Sequence, residues 1–550
     1  MAKDERASAN EERLVVSDLS AETQEKLLSL GLEIGESGYV VWRKDNPSHP
    51  RNWTGARKAF DIGLVVIFDL VATVISTAGT AASEEARYHF NIGQTFSLFC
   101  FTSVYLIGQA VGGVLFPPYS ESFGRKWLYV VSTFLFSLFC ILVGAVPSIA
   151  AIIVGRFATG VLSAIPSIIL AGSIEDMFNS GPRIWMIYVW SMAANLGFCI
   201  GPIVGAYVTA EIDWYASLPR LAGTYFADGF RQWNFYLTAI ITGVLGFVML
   251  AMRESRPSQL LDRKLKTLQR LTGNESFRIQ NPDHTPDVRT YVNGTLVRPL
   301  RLLLTEPIVF AVAVMTAVAF SLIYLFAAAA PIVYQPYGLD AKLSSLSFIA
   351  VGVGLFLGVP IRFYDQRVFK QRQRQRRTLE PEDKLVGFAI AAPALAVCLW
   401  WFAWTIPPLV HVHWIVSMLS LILLGFATNE FDAVLAGYLA DSYTIFAASA
   451  FAAMCFLRAS LSAVFPLFAR QLFVNLGANV GASVLAAIAT IFCIFPIVFV
   501  YRGERLRRAS KFARYSLKAY SQNRVDADEW ETDVPKSNTP AIDDSRKSPL

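Results

Sequence analysis

Long apolar stretches recur along the chain, and short connections between them hold most of the polar residues. Twelve of these stretches reach the roughly 20 residues that a helix needs to cross the hydrocarbon core of a bilayer. They are residues 60–80, 95–116, 127–146, 150–172, 184–208, 234–252, 307–330, 343–363, 385–406, 414–439, 447–469 and 478–501. The first begins too far along the chain, and is too long, for a cleaved signal peptide. The pattern therefore predicts an all-α integral membrane protein with twelve transmembrane helices.

The composition supports this prediction. Of the 550 residues, 54% are apolar and 16% are charged, whereas about 25% of the residues in soluble domains are charged. This argues against soluble, fibrous and disordered classes. The formal net charge of +6 is small, and no basic surface with interleaved aromatic residues accompanies it, so no nucleic-acid partner is expected. We expect a lipid bilayer around the protein and a functional monomer.

The connections between the spans differ in positive charge. Those on the same side as the N-terminus carry 32 Lys and Arg residues, and those on the opposite side carry 5. Because positively charged loops remain in the cytoplasm, both termini are predicted to be cytoplasmic. The arginine-rich run 371–377 then lies near anionic lipid. The sequons at Asn52, Asn274 and Asn293 are predicted to carry no glycan.

The longest charged connection falls between the sixth and seventh spans and divides the chain into two sets of six. Such a layout indicates duplicated halves. The predicted parts are a largely disordered cytoplasmic tail at 1–58, a six-helix bundle at 59–252, a cytoplasmic linker at 253–304, a second bundle at 305–501 and a cytoplasmic tail at 502–550.

Motifs for catalysis, metal binding or nucleotide binding are missing from the sequence. The six cysteines all lie in apolar spans without a C-x-x-C pair, and the five histidines lack metal-ligand spacing. No Walker, H-E-x-x-H or G-x-S-x-G sequence occurs. We therefore predict a transporter and not an enzyme, with no metal and no cofactor, driven by an ion gradient such as that of protons.

Charged residues inside membrane spans are unfavourable there and indicate function. Asp69 lies near the middle of the first span, and polar residues follow it at helical spacing. Similar stripes occur in spans four, seven and ten. The four stripes are Asp69, Thr73, Ser76 and Thr80; Arg156, Thr159, Ser163 and Ser167; Ser321 and Tyr324; and Gly425, Asn429, Asp432 and Ala436. These helices are predicted to surround one polar cavity for a small-molecule substrate and protons. The candidate substrate and proton-coupling residues are Asp69, Thr73, Arg156, Ser163, Tyr324, Asn429 and Asp432.

Two interpretations of Asp69 and Arg156 stay open, and they can hold together. Asp69 is a protonatable or substrate-contacting carboxylate near a cation, or the two residues form a buried ion pair that joins their helices. Glu430 points about 200° away from Asp432 around the tenth helix, and either acid can pair locally. Arg458, in the eleventh span, is interpreted as a packing or gating contact.

Acid and base residues also occur at matching corners of the two halves. The connection after the second span contains Glu121, Gly124, Arg125 and Lys126, and the segment after the eighth contains Asp365 and Arg367. Asp176 and Asp441 end the fourth and tenth spans. These groups either lock the inner face of the protein closed or are ordinary surface charge.

Several motifs resemble those of the major facilitator superfamily. They are the antiporter motif of span five, with Gly197, Gly201, Pro202 and Gly205; the loop signature Pro117–Lys126; and Arg156-x-x-x-Gly160 in span four. Segments Asn46–Trp53, Phe465–Gln471 and Gly503–Ala513 are similar to the fungal twelve-span drug:proton antiporter family. The loop departs from the family pattern, since Pro117 and Glu121 stand where Gly and Asp are usual. Asp69 is not a residue of the family at large.

The resemblance implies the two-bundle major facilitator fold, with spans 1, 4, 7 and 10 around a central cavity. It implies proton-coupled export of a small organic solute, such as a drug, a toxin or secondary metabolite, or a polyamine. Arg156 would serve proton coupling, the loop at Glu121–Lys126 would change conformation, and the span-five motif would form a kink that favours export. The plasma membrane is the expected location, with the vacuolar membrane as the alternative. A proton-coupled importer of a nutrient and a non-transporting sensor remain alternative functions.

Overall fold

The computed structural model describes residues 21–35, 39–211, 230–274, 277–279, 297–375, 381–410, 412–443, 447–510 and 512. The sequon at Asn293, residues 376 and 377 of the arginine-rich run and the C-terminal tail beyond residue 512 lie outside these ranges. Within them, each of the twelve predicted apolar segments coincides with a helix, and these helices are labelled α1 to α12.

Their bounds are α1 Gly55–Phe90, α2 Gln94–Pro117, α3 Lys126–Ala145, α4 Ile149–Met177, α5 Pro182–Val208, α6 Phe230–Met249, α7 Pro307–Tyr337, α8 Ala341–Arg372, α9 Val386–Thr405, α10 Trp414–Tyr443, α11 Ser449–Phe468 and α12 Ala478–Ala509. Eleven of the described helices are long and apolar enough to cross a membrane. The apolar part of α6, Trp233–Met249, is shorter.

Most of these helices extend beyond the predicted apolar segments because polar residues form their ends. At the end of α1, Asn91 adopts a left-handed conformation, and its backbone N–H bonds the carbonyls of Arg87 and Tyr88. The start of α7 has Pro307 in the first turn, where a missing N–H breaks no helical hydrogen bond. The residues at which these helices begin and end are therefore determined by capping interactions. The pattern of apolar residues does not predict these positions.

The two sets of six helices repeat each other's packing. In the first bundle, α1 packs on α5, α2 on α4 and α3 on α6; in the second, α7 packs on α11, α8 on α10 and α9 on α12. Between the bundles, α2 packs on α11 and α5 packs on α8. This arrangement is the two-bundle fold that the sequence predicts.

Glycines allow the closest approach of helices in the first bundle. A Cβ atom on Gly108 of α2 would lie 2.3 Å from the carbonyl oxygen of Phe157. A Cβ atom on Gly160 of α4 would lie 1.9 Å from the carbonyl oxygen of Tyr105. Any larger residue at either glycine would separate α2 from α4.

The second bundle uses the same contact between α8 and α10. A Cβ atom on Gly354 would lie 1.9 Å from the carbonyl oxygen of Ile422, and one on Gly425 would lie 1.9 Å from that of Val351. The matched pairs of residues are Tyr105 and Val351, Gly108 and Gly354, Phe157 and Ile422, and Gly160 and Gly425. These pairs define equivalent positions in the two bundles.

Part of the N-terminal tail is folded, in contrast to the predicted disorder. Helix Ala21–Ser29 is followed by strands β1 Leu32–Ile34 and β2 Val40–Trp42, which pair in antiparallel fashion. The helix and strands pack on helix Pro257–Thr272 of the linker. A second helix of the linker is Arg298–Thr305. The shared core is Leu27, Leu32, Val40, Leu265, Leu268 and Phe277. The prediction of disorder fails for this segment because its apolar residues find their partners in the distant linker.

Replacing Gly425 tests the glycine contact between α8 and α10. Gly425→Ala places a methyl group against the Val351 carbonyl, so we expect the free energy of unfolding to fall by about 1–3 kcal/mol. Gly437→Ala, in the same helix, is the control, since a Cβ atom there meets nothing within 4 Å. Thermal unfolding of both purified variants in one detergent measures the effect. Equal melting temperatures for the two variants would contradict the close contact.

Candidate functional site

A cavity lies between the two bundles, with about 440 Å³ of space free of protein atoms. The four helices predicted to surround it, α1, α4, α7 and α10, all contribute side chains, and α2, α5 and α11 contribute others. Its charged lining residues are Asp69, Asp432 and Arg458, and its other polar ones are Thr73, Gln109, Ser167, Tyr324 and Ser462. Three charged groups thus face one space within the apolar helices.

Neutral donors hold both carboxylate oxygens of Asp69, which is 1% exposed. Ser167 Oγ donates to Oδ1 at 2.6 Å, and the indole Nε1 of Trp190 donates to Oδ2 at 2.8 Å. Ser167 belongs to a π-helical turn of α4, Ile165–Ile169, a local widening that is frequent at functional sites. Because no arginine or lysine of the described chain forms a salt bridge with Asp69, this acid can gain or lose a proton without breaking an ion pair.

Asp432 is held differently, since it forms a salt bridge. Arg458 NH1 lies 2.8 Å from its Oδ1, and Ser191 Oγ lies 3.0 Å from its Oδ2. Ser191 Oγ is also 3.2 Å from Oδ1 of Asn429, and Asn195 lies beside the same amide oxygen at 3.4 Å. Ser191 and Asn195 belong to α5 and their partners to α10, so this polar layer joins the two bundles.

Aromatic rings form the wall of the cavity at α5 and α7. Phe198 meets Phe320 and Tyr324 edge to face, with ring centroids 5.6 Å apart in each pair. The guanidinium of Arg458 lies 4.4 Å from the centroid of Phe320, a cation–π contact. The hydroxyl of Tyr324 is 2.9 Å from Oγ of Ser76 in α1. The cavity therefore combines charged groups with flat apolar surfaces.

Four of the seven predicted substrate and proton-coupling residues line this cavity, and three do not. The four are Asp69, Thr73, Tyr324 and Asp432. The three are Arg156, Ser163 and Asn429. The structure therefore brings together the predicted residues of α1 and α7 with Asp432 of α10, whereas Arg156, Ser163 and Asn429 face other neighbours.

Arg156 of α4 faces α2 instead of Asp69. Its Nε donates to the carbonyl oxygen of Phe101 at 2.6 Å, and its guanidinium lies 4.5 Å from the ring centroid of Tyr105 and 5.5 Å from that of Phe235. The ion pair between Asp69 and Arg156, one of the two open interpretations, is not formed.

The other two residues also have local partners. Ser163 donates to the carbonyl oxygen of Gly160 at 2.7 Å, and Asn429 faces Ser191 of α5. Gly425, predicted on the same stripe as Asn429, packs against α8 and does not face the cavity.

The sequence prediction missed the contribution of α5 and underestimated that of α11. Trp190, Ala194 and Phe198 line the cavity at intervals of four residues, a helical spacing that was visible in the sequence. Arg458 was interpreted as a packing or gating contact, yet it lines the cavity and pairs with Asp432. Periodicity alone could not show that α5 and α11 face the same space as α1.

The glycines of the predicted antiporter motif pack α5 against α1. A Cβ atom on Gly197 would lie 1.9 Å from Oγ1 of Thr73, and Gly201 is equally close to a threonine one turn further along α1. Gly205 continues the contact, and Pro202 lies inside the same helix. These glycines therefore set the distance between the helices that carry Asp69 and its indole partner.

The predicted conformational loop of the first bundle forms a network with the linker. Gly124 has a φ of +94°, and a Cβ atom there would lie 2.7 Å from Oε2 of Glu254. The Glu254 carboxylate accepts the backbone N–H groups of Arg125 and Lys126 at 3.0–3.1 Å. Arg125 NH1 lies 3.1 Å from Asp176, which also pairs with an arginine preceding the linker helix. The linker is thereby attached to the first bundle.

In the second bundle, Asp441 lies close to bases of both bundles. Lys384 Nζ, from the turn before α9, lies 2.5 Å from Oδ2 of Asp441. Arg183 of the first bundle lies 3.9 Å from Oδ1 of Asp441 and 3.3 Å from Glu175. Asp441 thus has a base from each bundle.

The other predicted corner residues have separate positions. Asp365 pairs with Arg362 at 2.9 Å, and Arg367, its predicted neighbour in the corner, is exposed. The side chain of Glu121 lies outside the described part of the structure.

The bundles touch on both sides of the cavity. We call the side that carries the start of α1 and the end of α12 the termini face. Near it, Tyr188 donates to the Leu355 carbonyl at 2.9 Å, between α5 and α8. Near the opposite face, Arg470 donates to Gln94 at 2.6 Å. The bundles are therefore in contact on both sides of the cavity.

The chain belongs to the Major Facilitator Superfamily, whose family model matches residues 64–466. It is 29% identical to the major facilitator superfamily multidrug transporter FLU1 of Candida albicans, over 85% of this chain and 75% of the relative. It is 30% identical to the efflux pump radE of Floropilus chiversii, over 85% and 84% of the two chains.

Solved structures share the fold at low sequence identity. The proton:xylose symporter XylE, bound to 6-bromo-6-deoxy-D-glucose, is 16% identical and matches with a TM-score of 0.57, over 82% of this chain and 97% of XylE. The human organic anion transporter MFSD10 is 14% identical and matches with a TM-score of 0.55, over 81% and 100% of the two chains. These matches establish the architecture.

Replacing Glu254 tests the attachment of the linker to the conformational loop. Glu254→Ala leaves backbone N–H groups near Gly124 without acceptors, so we expect a loss of at least about 2 kcal/mol of unfolding free energy. Glu504→Ala removes an exposed acid that pairs with Arg508 and should change stability by less than about 1 kcal/mol. Thermal unfolding of the two variants measures the difference. Similar melting temperatures would show that Glu254 does not anchor the loop.

Proposed function

We propose that this protein exports a small organic solute across a membrane in exchange for protons, by alternating access. The single observation that carries the proposal is the position of Asp69 in the cavity between the two bundles, where two neutral donors hold it. The names of the relatives in Candida albicans and Floropilus chiversii, a multidrug transporter and an efflux pump, support the direction of transport.

The chemistry of the cavity favours weakly basic or amphipathic solutes. With both acids ionised, Asp69, Asp432 and Arg458 have a net charge of −1. Phe198 and Phe320 provide flat apolar surface beside these charges. A cationic head group would therefore find a counter-charge, and an apolar body would find aromatic contacts.

Contacts between the bundles on both faces support alternating access. When the termini face opens, the solute enters beside Asp69 and displaces its proton. The bundles then rock, the opposite face opens and the solute leaves. A proton from that side binds Asp69 and resets the protein. Because the acid cannot hold proton and solute together, the two fluxes are coupled in opposite directions.

We further propose that the termini face is cytoplasmic and that the plasma membrane is the site of export. The excess of Lys and Arg on that face supports the orientation. In the proposed cycle, the proton that resets Asp69 comes from outside the cell. The plasma membrane of a fungal cell maintains the excess of external protons that this step needs.

Asp69→Asn tests the coupling. An amide cannot exchange a proton, so we expect export that no longer varies with external pH from a protein that still folds and reaches its membrane. The assay is flux of fluorescent weakly basic dyes in proteoliposomes under an imposed proton gradient. Asp61→Asn is the control, because Asp61 is a buried acid of the same helix that pairs with Arg57 away from the cavity.

Retention of the wild-type pH dependence by Asp69→Asn would remove Asp69 from the mechanism. Dye movement in the same direction as protons would indicate an importer. Absence of dye and proton flux in the wild-type protein would favour a sensor over a transporter.

The sequons test the orientation. Asn52 and Asn274 belong to the termini face, which we place in the cytoplasm, and we expect neither to carry a glycan. Treatment of the expressed protein with peptide N-glycosidase should leave its electrophoretic mobility unchanged. A shift in mobility that disappears in an Asn52→Gln or Asn274→Gln variant would place the termini face outside.

A further inference from the structure

A cluster of charged residues is buried in the second bundle, outside the cavity. Arg362 of α8 lies between two acids: its NH2 is 2.5 Å from Oε2 of Glu430, and its NH1 is 2.9 Å from Oδ2 of Asp365. The side chains of Arg362, Glu430 and Asp365 are 6%, 0% and 4% exposed. With both acids ionised, two negative charges share one positive charge in a buried site, which is unfavourable.

Two oxygens of this cluster have no hydrogen-bond partner. Within the part of the chain that the structure describes, they are Oδ1 of Asp365 and Oε1 of Glu430, and Glu430 is the more deeply buried of the two acids. Oε1 of Glu430 lies beside Gly358, where a Cβ atom would be 2.4 Å from this oxygen and 2.8 Å from the hydroxyl of Tyr188. The Tyr188 proton is already donated to Leu355. A proton on Oε1 would neutralise the surplus charge and turn this oxygen into a hydrogen-bond donor.

The first bundle packs the equivalent helices without such charges. The glycine contacts of α2 with α4 and of α8 with α10 define equivalent positions in the two bundles. At the same number of residues from these glycines, the first bundle has Phe116, Tyr119 and Ile165 where the second has Arg362, Asp365 and Glu430. The close contact of the two helices at their glycines therefore occurs without a charged cluster in the first bundle.

The neighbouring charges leave the surplus in place. In the turn before α9, Lys384 forms its salt bridge with Asp441, although its charge also attracts Asp365. Within α9, Gly387 presents its backbone to the ion pair of Arg362 and Glu430. On α10 itself, Asp432 is occupied by Arg458 of α11. Helix α7 has no charged residue. From α5, Tyr188 is the titratable group that faces the cluster.

The cluster also contacts the first bundle. The guanidinium of Arg362 lies 5.4 Å from the ring centroid of Tyr188, and Phe363 meets Trp185 edge to face at 4.9 Å. Tyr188 and Trp185 belong to α5, so these contacts close the termini face. The ion pair with Glu430 holds the guanidinium of Arg362 in the position where it contacts the ring of Tyr188.

We propose that Glu430 is a second proton-binding site, separate from Asp69, and that its proton loosens the contact between α5 and α8. The proton comes from water on the termini face and binds Oε1. Neutral Glu430 releases Arg362 towards Asp365, and the guanidinium leaves the ring of Tyr188. The termini face then opens more readily. The effect on transport rests on the proposed function, whereas proton binding does not.

Infrared spectroscopy of the full-length protein in lipid tests proton binding directly. Between about pH 9 and about pH 5, a protonated buried carboxyl group produces a C=O band separate from that of ionised carboxylates. We expect Glu430→Gln to lose part of this band. Asp365→Asn removes the second negative charge, so the band of Glu430 should appear only at lower pH.

Glu382→Gln is the matched control. Glu382 also pairs with a buried arginine of the second bundle, but Arg507 bonds both of its oxygens. This variant should keep the full band. A band in Glu430→Gln with the wild-type amplitude and midpoint would overturn the proposal, as would an equal loss in Glu382→Gln.

Asp69→Asn separates this proposal from the proposed function. If Asp69→Asn and Glu430→Gln each lose a different part of the carboxyl band, the protein has two proton-binding sites. Loss in Glu430→Gln alone supports the Glu430 site and contradicts the coupling role of Asp69. Loss in Asp69→Asn alone overturns the second site and leaves Asp69 as the coupling acid.

Spin labels on exposed residues of the termini face test the effect on the gate. Labels at Asn179 of the first bundle and Gln371 of the second report the opening of this face by their separation. We expect the separation to increase as the pH falls in the wild-type background, and to be large at every pH in Glu430→Gln. A distance distribution that responds to pH equally in both proteins would overturn the proposed gate.

Gly387→Ala provides a second variant that retains all charges. Its Cβ atom would lie 2.0 Å from Oε2 of Glu430 and 2.7 Å from NH2 of Arg362, so it pushes the ion pair apart. We expect the carboxyl band of Glu430 to appear at higher pH than in the wild-type protein. An unchanged midpoint would contradict the dependence of proton binding on Arg362.

Discussion

Charged side chains within apolar helices constrain the whole structure, because lipid offers them no hydrogen bonds. Three of them are satisfied by a neighbouring helix. Arg156 bonds the carbonyl of Phe101, Asp69 is held by a serine and an indole, and Arg458 pairs with Asp432. Every one of these contacts joins two helices. The requirement to satisfy buried charge therefore determines which helices face each other as well as where chemistry occurs.

The same packing scheme supports different chemistry in the two bundles. Glycine contacts place α2 on α4 and α8 on α10 in equivalent ways. Seven residues after the equivalent glycines, Gly160 and Gly425, the first bundle has Ser167 and the second has Asp432, and both line the cavity. One bundle thus supplies a neutral donor to Asp69, and the other supplies an acid to Arg458. An asymmetric cavity results from a repeated framework.

Much of the fold was predictable from the sequence, and less of the site. Apolar segments predicted the long helices, and polar stripes predicted that Asp69, Tyr324 and Asp432 face one cavity. The role of Trp190 as a donor to Asp69 was not predicted, nor was the pairing of Asp432 with Arg458. A stripe reports which side of its own helix is polar. It does not report which neighbouring helix that side meets, since several arrangements satisfy the same stripes.

The sequence by itself determined the positions of the apolar helices, their division into two sets of six and the polar residues inside them, because these depend on local composition and helical period. Only the tertiary structure decided the partners. It directs Arg156 to a backbone carbonyl and joins Arg362 to Glu430, and it packs the described part of the N-terminal tail onto the linker. These contacts link residues far apart in the chain, and their geometry depends on how closely glycines allow the helices to approach.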